Sequence, residues 1–288
     1  MEGIRMKAVI VALAVLVTVL APACKKVDET AVREKRGQEQ GIFPQGEVVD
    51  LTHSFSSETV YWPTSEPFVL ENVFKGVTGA GFFYFANNFS AAEHGGTHID
   101  APAHFAMGGK TVDEIPLERL MGEAVVIDVS GSALGNRDYQ VAVADFTRWE
   151  KENGRLPRGS IVLLKTGYGR YWPDREKYMG TAERGEGAVE KLHFPGLAPE
   201  AAVWITGNRE ISAVGIDTPS IDYGQSKLFW SHRILFERGI PAFENLANLD
   251  RLPPKGAFVI ALPMKIKGGS GGPLRIVAIV PRGQGRAK

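Results

Sequence analysis

Short apolar runs closed by glycine, proline or aspartate recur along the chain, at residues 48–51, 81–85, 124–129, 161–165, 213–216, 258–262 and 274–280. Runs of that length and punctuation predict strands. Between them the apolar spacing changes to that of helices. Asp145 is read as an N-cap for a helix over 146–152, and Pro199 suits the first turn of a helix that reaches Ile205. A third helix is predicted over about 228–237, where Phe229, His232 and Phe236 share one face, and Gly239 stops it. Strands and helices alternate without an internal repeat, so the expected fold class is α/β with a mixed sheet.

The first residues break this pattern. Arg5 and Lys7 precede an uncharged apolar run from Ala8 to Leu20 that ends in Ala21-Pro22-Ala23-Cys24. Residues 1–23 therefore read as a secretory signal peptide, the run being shorter than the roughly 20 apolar residues a bilayer span needs. Cys24, the sole cysteine, resembles the lipid-modified cysteine of bacterial lipoproteins. The usual lipobox leucine would stand at Ala21, and Ala21-Pro22-Ala23 also fits ordinary cleavage. Residues 24–45 are charged and without apolar periodicity, as a tether would be, and the folded domain is expected over 46–288. The expected location is the cell envelope or periplasm, with a lipid anchor at Cys24 as the membrane contact.

Charge narrows the partners. Lys plus Arg balances Asp plus Glu at 33 each, so nothing favours a nucleic-acid footprint or a polybasic membrane surface. The 288 residues, 44% hydrophobic, suffice for a sizeable core. A small-molecule partner is expected.

Candidate chemistry concentrates in residues 93–105, where His94, His98 and His104 surround Asp100. Gly95-Gly96 is a poor helix interior and Pro102 follows closely, so the segment reads as a turn leading into an extended stretch. In an extended 97–100, His98 and Asp100 share one face while Thr97 and Ile99 take the other. The glycines let His94 fold back, and Pro102 redirects the chain so that His104 approaches from the far side. Imidazoles with a carboxylate suit zinc or manganese. Far downstream, His232 lies in an apolar helical stripe, and Glu244 sits in an apolar, strand-like stretch where an unpaired carboxylate is costly. Taken alone that histidine reads as a core residue, and a metal or another cation is expected beside Glu244.

Other features carry less. Aromatic residues before the histidine cluster, Trp62, Phe83 and Phe85 among them, are candidates to line a pocket for an aryl substrate. Gly268-Gly269-Ser270-Gly271-Gly272 matches the serine-hydrolase pattern G-x-S-x-G, but Pro273 and an apolar run follow where a nucleophile elbow needs a helix, so it reads as a turn. Asp50 and Asp217 read as cap or turn residues, and Glu93 and Thr97 as residues that could orient ligands.

The pattern His94-x3-His98-x-Asp100-x3-His104, with the distant His232 and Glu244, resembles the metal-dependent cyclase family that contains bacterial kynurenine formamidase. Val49-Asp50-Leu51-Thr52 and 215–220 extend the resemblance, which runs from about Gly46 to the C-terminus. It implies a swivelling β/β/α fold, homo-oligomers, and one or two Zn2+ or Mn2+ ions per subunit. One metal would sit on His94, His98 and Asp100, the other on His104, His232 and Glu244, with Asp100 bridging. The stretch 245–256 looks more like the isatin hydrolase branch, which uses one metal and treats the last histidine of the motif as a catalytic group, so His104 is either ligand or base. The expected activity is hydrolysis of a small aryl amide by a metal-activated water, N-formylkynurenine leading, with opening of an isatin-like lactam or a lactone as the alternative. An exported lipoprotein that captures metal or solute is the competing class.

Overall fold

The computed structural model describes residues 44–282. The expected signal peptide, Cys24 and nearly all of the tether lie outside the described residues. The first strand among the described residues is β1 (Gly46–Asp50).

The strands that follow are β2 (Val69–Val77), β3 (Phe83–Ser90), β4 (His98–Asp100), β5 (Met121–Asp128), β6 (Gln140–Val141), β7 (Ser160–Lys165), β8 (Gly196–Leu197), β9 (Ile211–Ile216), β10 (Ala242–Glu244), β11 (Lys255–Pro263) and β12 (Gly271–Pro281). Eight of them form one mixed sheet in the order β1-β12-β11-β5-β7-β9-β10-β4. Strands β5, β7, β9 and β10 run parallel, and the remaining pairings are antiparallel. Because β12 also pairs with β4, the sheet closes into a barrel with β1 attached outside the ring.

Alternation along the central strands divides the core. Ala124, Val126, Ile161, Leu163 and Ala213 point into the barrel with Ile99, Phe243 and Ile276. Their neighbours Val125, Ile127, Val162, Leu164 and Val214 point outward against helices α1 (Val143–Asn153), α2 (Pro199–Asn208) and α3 (Trp230–Glu237). Strands buried on both faces read as continuous apolar runs, which is why β5, β7 and β9 were visible in the sequence.

Three expectations shift. Helix α1 starts at Val143, earlier than predicted, and Asp145 lies inside its first turn, where its carboxylate accepts the Ala142 N–H at 2.9 Å. The strand expected over 81–85 is β3, displaced to Phe83–Ser90, and it pairs with β2, which the pattern did not reveal. This two-stranded hairpin is exposed along almost its whole length, so neither face carries the alternation that burial imposes.

Candidate metal centre

The centre forms where three strands of the barrel meet. Strand β4 lies between β10 and β12, with Glu244 opposite His98 and Ala242 opposite Asp100. His98 and Asp100 share one face of β4 and are almost fully buried, while Ile99 on the other face enters the barrel core. The chain reaches β4 through a tight bend: Gly95 lies so close to the Tyr61 ring that a Cβ there would be 2.0 Å from it, and Gly96 takes a left-handed φ of +58°. That bend brings His94 back over the strand, its Nδ1 2.7 Å from Asp100 Oδ1. A short turn at Pro102–His104 returns His104, whose ring stacks on His94 at 3.7 Å between centroids. From α3, His232 extends Nε2 to within 3.1 Å of Asp100 and 3.0 Å of Glu244.

All six candidate ligands therefore converge. Ligand atoms of His94, Asp100 and His104 lie within 4.8 Å of one another, as do those of His98, Asp100 and Glu244. His94 Nδ1 and His98 Nε2 both approach Asp100 Oδ1, at 2.7 and 3.0 Å, while His232 approaches Asp100 Oδ2 at 3.1 Å and Glu244 at 3.0 Å, so Asp100 is shared between the two groups that the resemblance implied.

Each buried imidazole is held by an outer acceptor. His98 Nδ1 donates to the Gly96 carbonyl at 3.0 Å, and His232 Nδ1 to Asp222 at 2.6 Å, which leaves both Nε2 atoms facing the carboxylates. Sequence reasoning missed Asp222, since nothing in its spacing connects it to His232 before the fold is known. Thr97, singled out as an orienting residue, accepts the His53 N–H and donates to the Asn245 carbonyl. Asp50 pairs with Arg275, and Asp217 accepts hydrogen bonds from Thr166 and Gly167, so both serve local structure.

The electrostatics describe a site short of positive charge. Burial pushes His98 down, but Asp100 and Glu244 outweigh it and lift the imidazole to about 9. Burial likewise opposes charge on His232, and hydrogen bonds to Asp100, Asp222 and Glu244 raise it well above the ordinary value. Burial would raise Asp100, yet the surrounding histidines hold it well below the usual carboxylate range, whereas burial and the neighbouring Asp100 charge raise Glu244. Three buried carboxylates, Asp100, Asp222 and Glu244, thus keep protons on two imidazoles. Histidine and carboxylate atoms converging this closely could equally share a divalent cation, which would replace those protons. The donor set fits a metal.

His104 differs. Burial and the cationic histidines nearby depress it to about 4 against the pull of Asp100, so at neutral pH its imidazole is uncharged. No hydrogen bond holds that ring among the described residues.

Above the six residues lies a cavity of about 250 Å³, walled by Trp62, Phe105, Phe229 and Ser220. Of the aromatics singled out from the sequence, Trp62 is on this wall. Phe83 and Phe85 are not: they sit on the β2–β3 hairpin, 63% and 49% exposed, because the strand that carries them leaves the body instead of lining it. Ser270 directly precedes β12 and no helix follows, so it is not a nucleophile elbow.

The cyclase family model matches residues 49–223. An isatin hydrolase of Roseibium aggregatum is 32% identical over 211 residues, covering 70% of this chain and 77% of the relative. A kynurenine formamidase of Salinibacter ruber is 28% identical over 239 residues, 80% of this chain and 96% of the relative. Among solved structures, isatin hydrolase A from Ralstonia solanacearum superposes with a TM-score of 0.74 at 33% identity, covering 93% of this chain and 100% of that one.

Proposed function

The chain belongs to the cyclase family and is a hydrolase, and from that premise we propose that it uses a divalent metal ion to open a small aryl lactam of the isatin kind. The observation that carries the substrate class is the cavity. Its walls are mostly aromatic and apolar, with Ser65, Ser220 and Asn245 as neutral polar groups, the metal-capable residues form its floor, and its lining contains neither lysine nor arginine. N-formylkynurenine bears a carboxylate and an ammonium on its amino-acid arm, and that carboxylate would find no lysine or arginine on the cavity walls. A neutral fused ring needs none. The volume also falls below the roughly 300–1,000 Å³ of sites for drug-sized ligands, in keeping with a small ring.

Zinc or manganese suits the mixed imidazole and carboxylate donors, with Asp100 available to two ions. Such an ion supplies a Lewis acid and a water acidic enough to act as a nucleophile near neutral pH. The protein does the rest. Trp62, Phe105 and Phe229 hold the ring, and Asp222 and the Gly96 carbonyl keep His232 and His98 aimed inward. Neutral His104, free of other hydrogen bonds and at the cavity floor, takes the water's proton and returns it to the leaving nitrogen as the acyl C–N bond breaks, giving a carboxylate and an amine.

A kynurenine formamidase activity is the second reading, favoured by the buried Glu244, which completes a donor set able to hold two ions. Hydrolysis of isatin and N-formylkynurenine, measured side by side on the metal-loaded protein, decides between them. Higher kcat/KM on isatin is expected; preference for N-formylkynurenine reverses the assignment, and turnover of neither, despite stoichiometric metal, returns weight to metal or solute capture. His104→Ala is expected to keep its metal and lose about 10²–10⁴-fold in kcat.

We further propose export to the cell envelope with a lipid on Cys24, which the mass of the mature N-terminal peptide tests, and a homo-oligomer formed through the β2–β3 hairpin.

A further inference from the structure

The glycine-rich loop 268–272, set aside as a nucleophile, has another use. Ser270 lies across the sheet edge from the residues that carry the centre: its carbonyl accepts the Ala101 N–H at 2.9 Å, and Gly271 pairs with Asp100. Its Oγ is 2.8 Å from His94 Nε2, the ring nitrogen that faces away from Asp100. On its other side, Glu93 Oε2 accepts both the Ser270 Oγ–H at 2.7 Å and the Ser270 N–H at 3.0 Å. The flanking glycines make room for this arrangement, since a Cβ on Gly271 would meet His94 Cε1 at 2.5 Å and one on Gly269 would meet Glu93 Oε1 at 2.8 Å.

The direction of these hydrogen bonds follows from the donors available. A carboxylate only accepts, and a hydroxyl has one proton to give. With that proton committed to Glu93, Ser270 Oγ can only accept from His94, which requires the proton of the neutral imidazole to sit on Nε2. The lone pair is then on Nδ1, beside Asp100. For His98 and His232 the outer partners are a carbonyl and a carboxylate, which dictate the tautomer unaided. For His94 the outer partner is a hydroxyl, which could point either way, and Glu93 removes the ambiguity.

We propose that Glu93 and Ser270 are a positioning pair that fixes His94 in its Nε2–H tautomer, so that Nδ1 is its metal-binding atom. This rests on the metal reading above. Glu93 and Ser270 touch no substrate; they act through His94.

The test is metal binding and the imidazole spectrum, independent of turnover. Zinc affinity is measured by chelator competition for the wild type, Ser270→Ala, Glu93→Ala, the double variant and Ser270→Thr. Ser270→Ala and Glu93→Ala are each expected to lose about 10–100-fold in affinity. The double variant should lose no more than the worse single one, and Ser270→Thr, which keeps the hydroxyl, should recover most of it. Nitrogen-15 spectra of the zinc-loaded wild type should show His94 bound through Nδ1 with a protonated Nε2. Zinc on Nε2, or unchanged affinity in a folded Ser270→Ala protein, overturns the proposal while leaving the metal reading intact. If Ser270→Ala does not fold, the wild-type spectrum alone decides. A wild type that binds no zinc or manganese overturns the metal reading, and the positioning role with it.

Discussion

At the scale of single residues, histidine environments divide by what faces them. His98 and His232 face carboxylates and are held protonated, whereas His53 faces an indole: it stacks on Trp172 at 4.2 Å, its Nε2 buried without a partner. Burial lowers His53 from 6.5 to about 4, the nearby Asp50 charge opposing only in part. The unfolded chain therefore binds the proton more readily than the folded one between those two values. The stability that comes from keeping His53 neutral is present in full above about pH 6.5 and is lost as pH falls toward 4. A His53→Phe variant, which keeps an aromatic ring and has no proton to gain, should become more stable relative to wild type as pH drops from 7 to 4.5. Urea midpoints across that range check it, and a constant difference would remove His53 from the acid response. The same scale shows which site residues were legible. His94, His98, Asp100 and His104 fall within one short segment of covalent chain, so their convergence could be reasoned from local backbone chemistry. Ser270 acts on a ring 176 residues away in sequence, a role that exists only once β4 and β12 have been brought together, and Asp222 reaches His232 across ten residues that no periodicity links.

At the scale of elements, legibility follows burial. Strands β5, β7, β9, β11 and β12 pack into the core and announce themselves as apolar runs, while of the two strands that face water on both sides β2 leaves no trace and β3 is signalled only by the run at 81–85, two residues out of place at its start. The extended form of β4 was readable from its glycines and Pro102, but its place between β10 and β12 was not, because strand order depends on pairings far apart in sequence. Close packing of β9 against its neighbours is itself testable. Gly215 leaves no space for a side chain, since a Cβ there would lie 2.7 Å from Leu246 Cδ1 and 2.8 Å from Leu163 Cδ2. Gly215→Ala should overpack the barrel interior and cost about 1–3 kcal/mol of stability. A thermal unfolding midpoint equal to that of wild type would show that the two leucines yield without strain.

At the scale of the whole molecule, the β2–β3 hairpin holds more than half of the large hydrophobic side chains exposed among the described residues, including Leu70, Val73, Phe83 and Phe89. Both faces are bare, and apolar surface of that extent marks an interaction site. A second copy of the chain is the occupant implied by the family resemblance, and light scattering should give the mass of a dimer or larger assembly. Replacing residues 69–90 by a short turn should yield a monomer; a full-length monomer at micromolar concentration would refute the assignment. The hairpin returns to the body just ahead of Glu93 and His94, so an oligomer contact there would lie next to the centre in sequence. Hydrolysis requires that the centre hold a metal. The most direct test is to strip the protein with a chelator, reload it with zinc or manganese, and follow metal content and lactam hydrolysis together. Turnover should vanish with the metal and return as one or two ions per subunit are restored, and should not return in Asp100→Ala. Undiminished hydrolysis by protein free of metal would contradict the account.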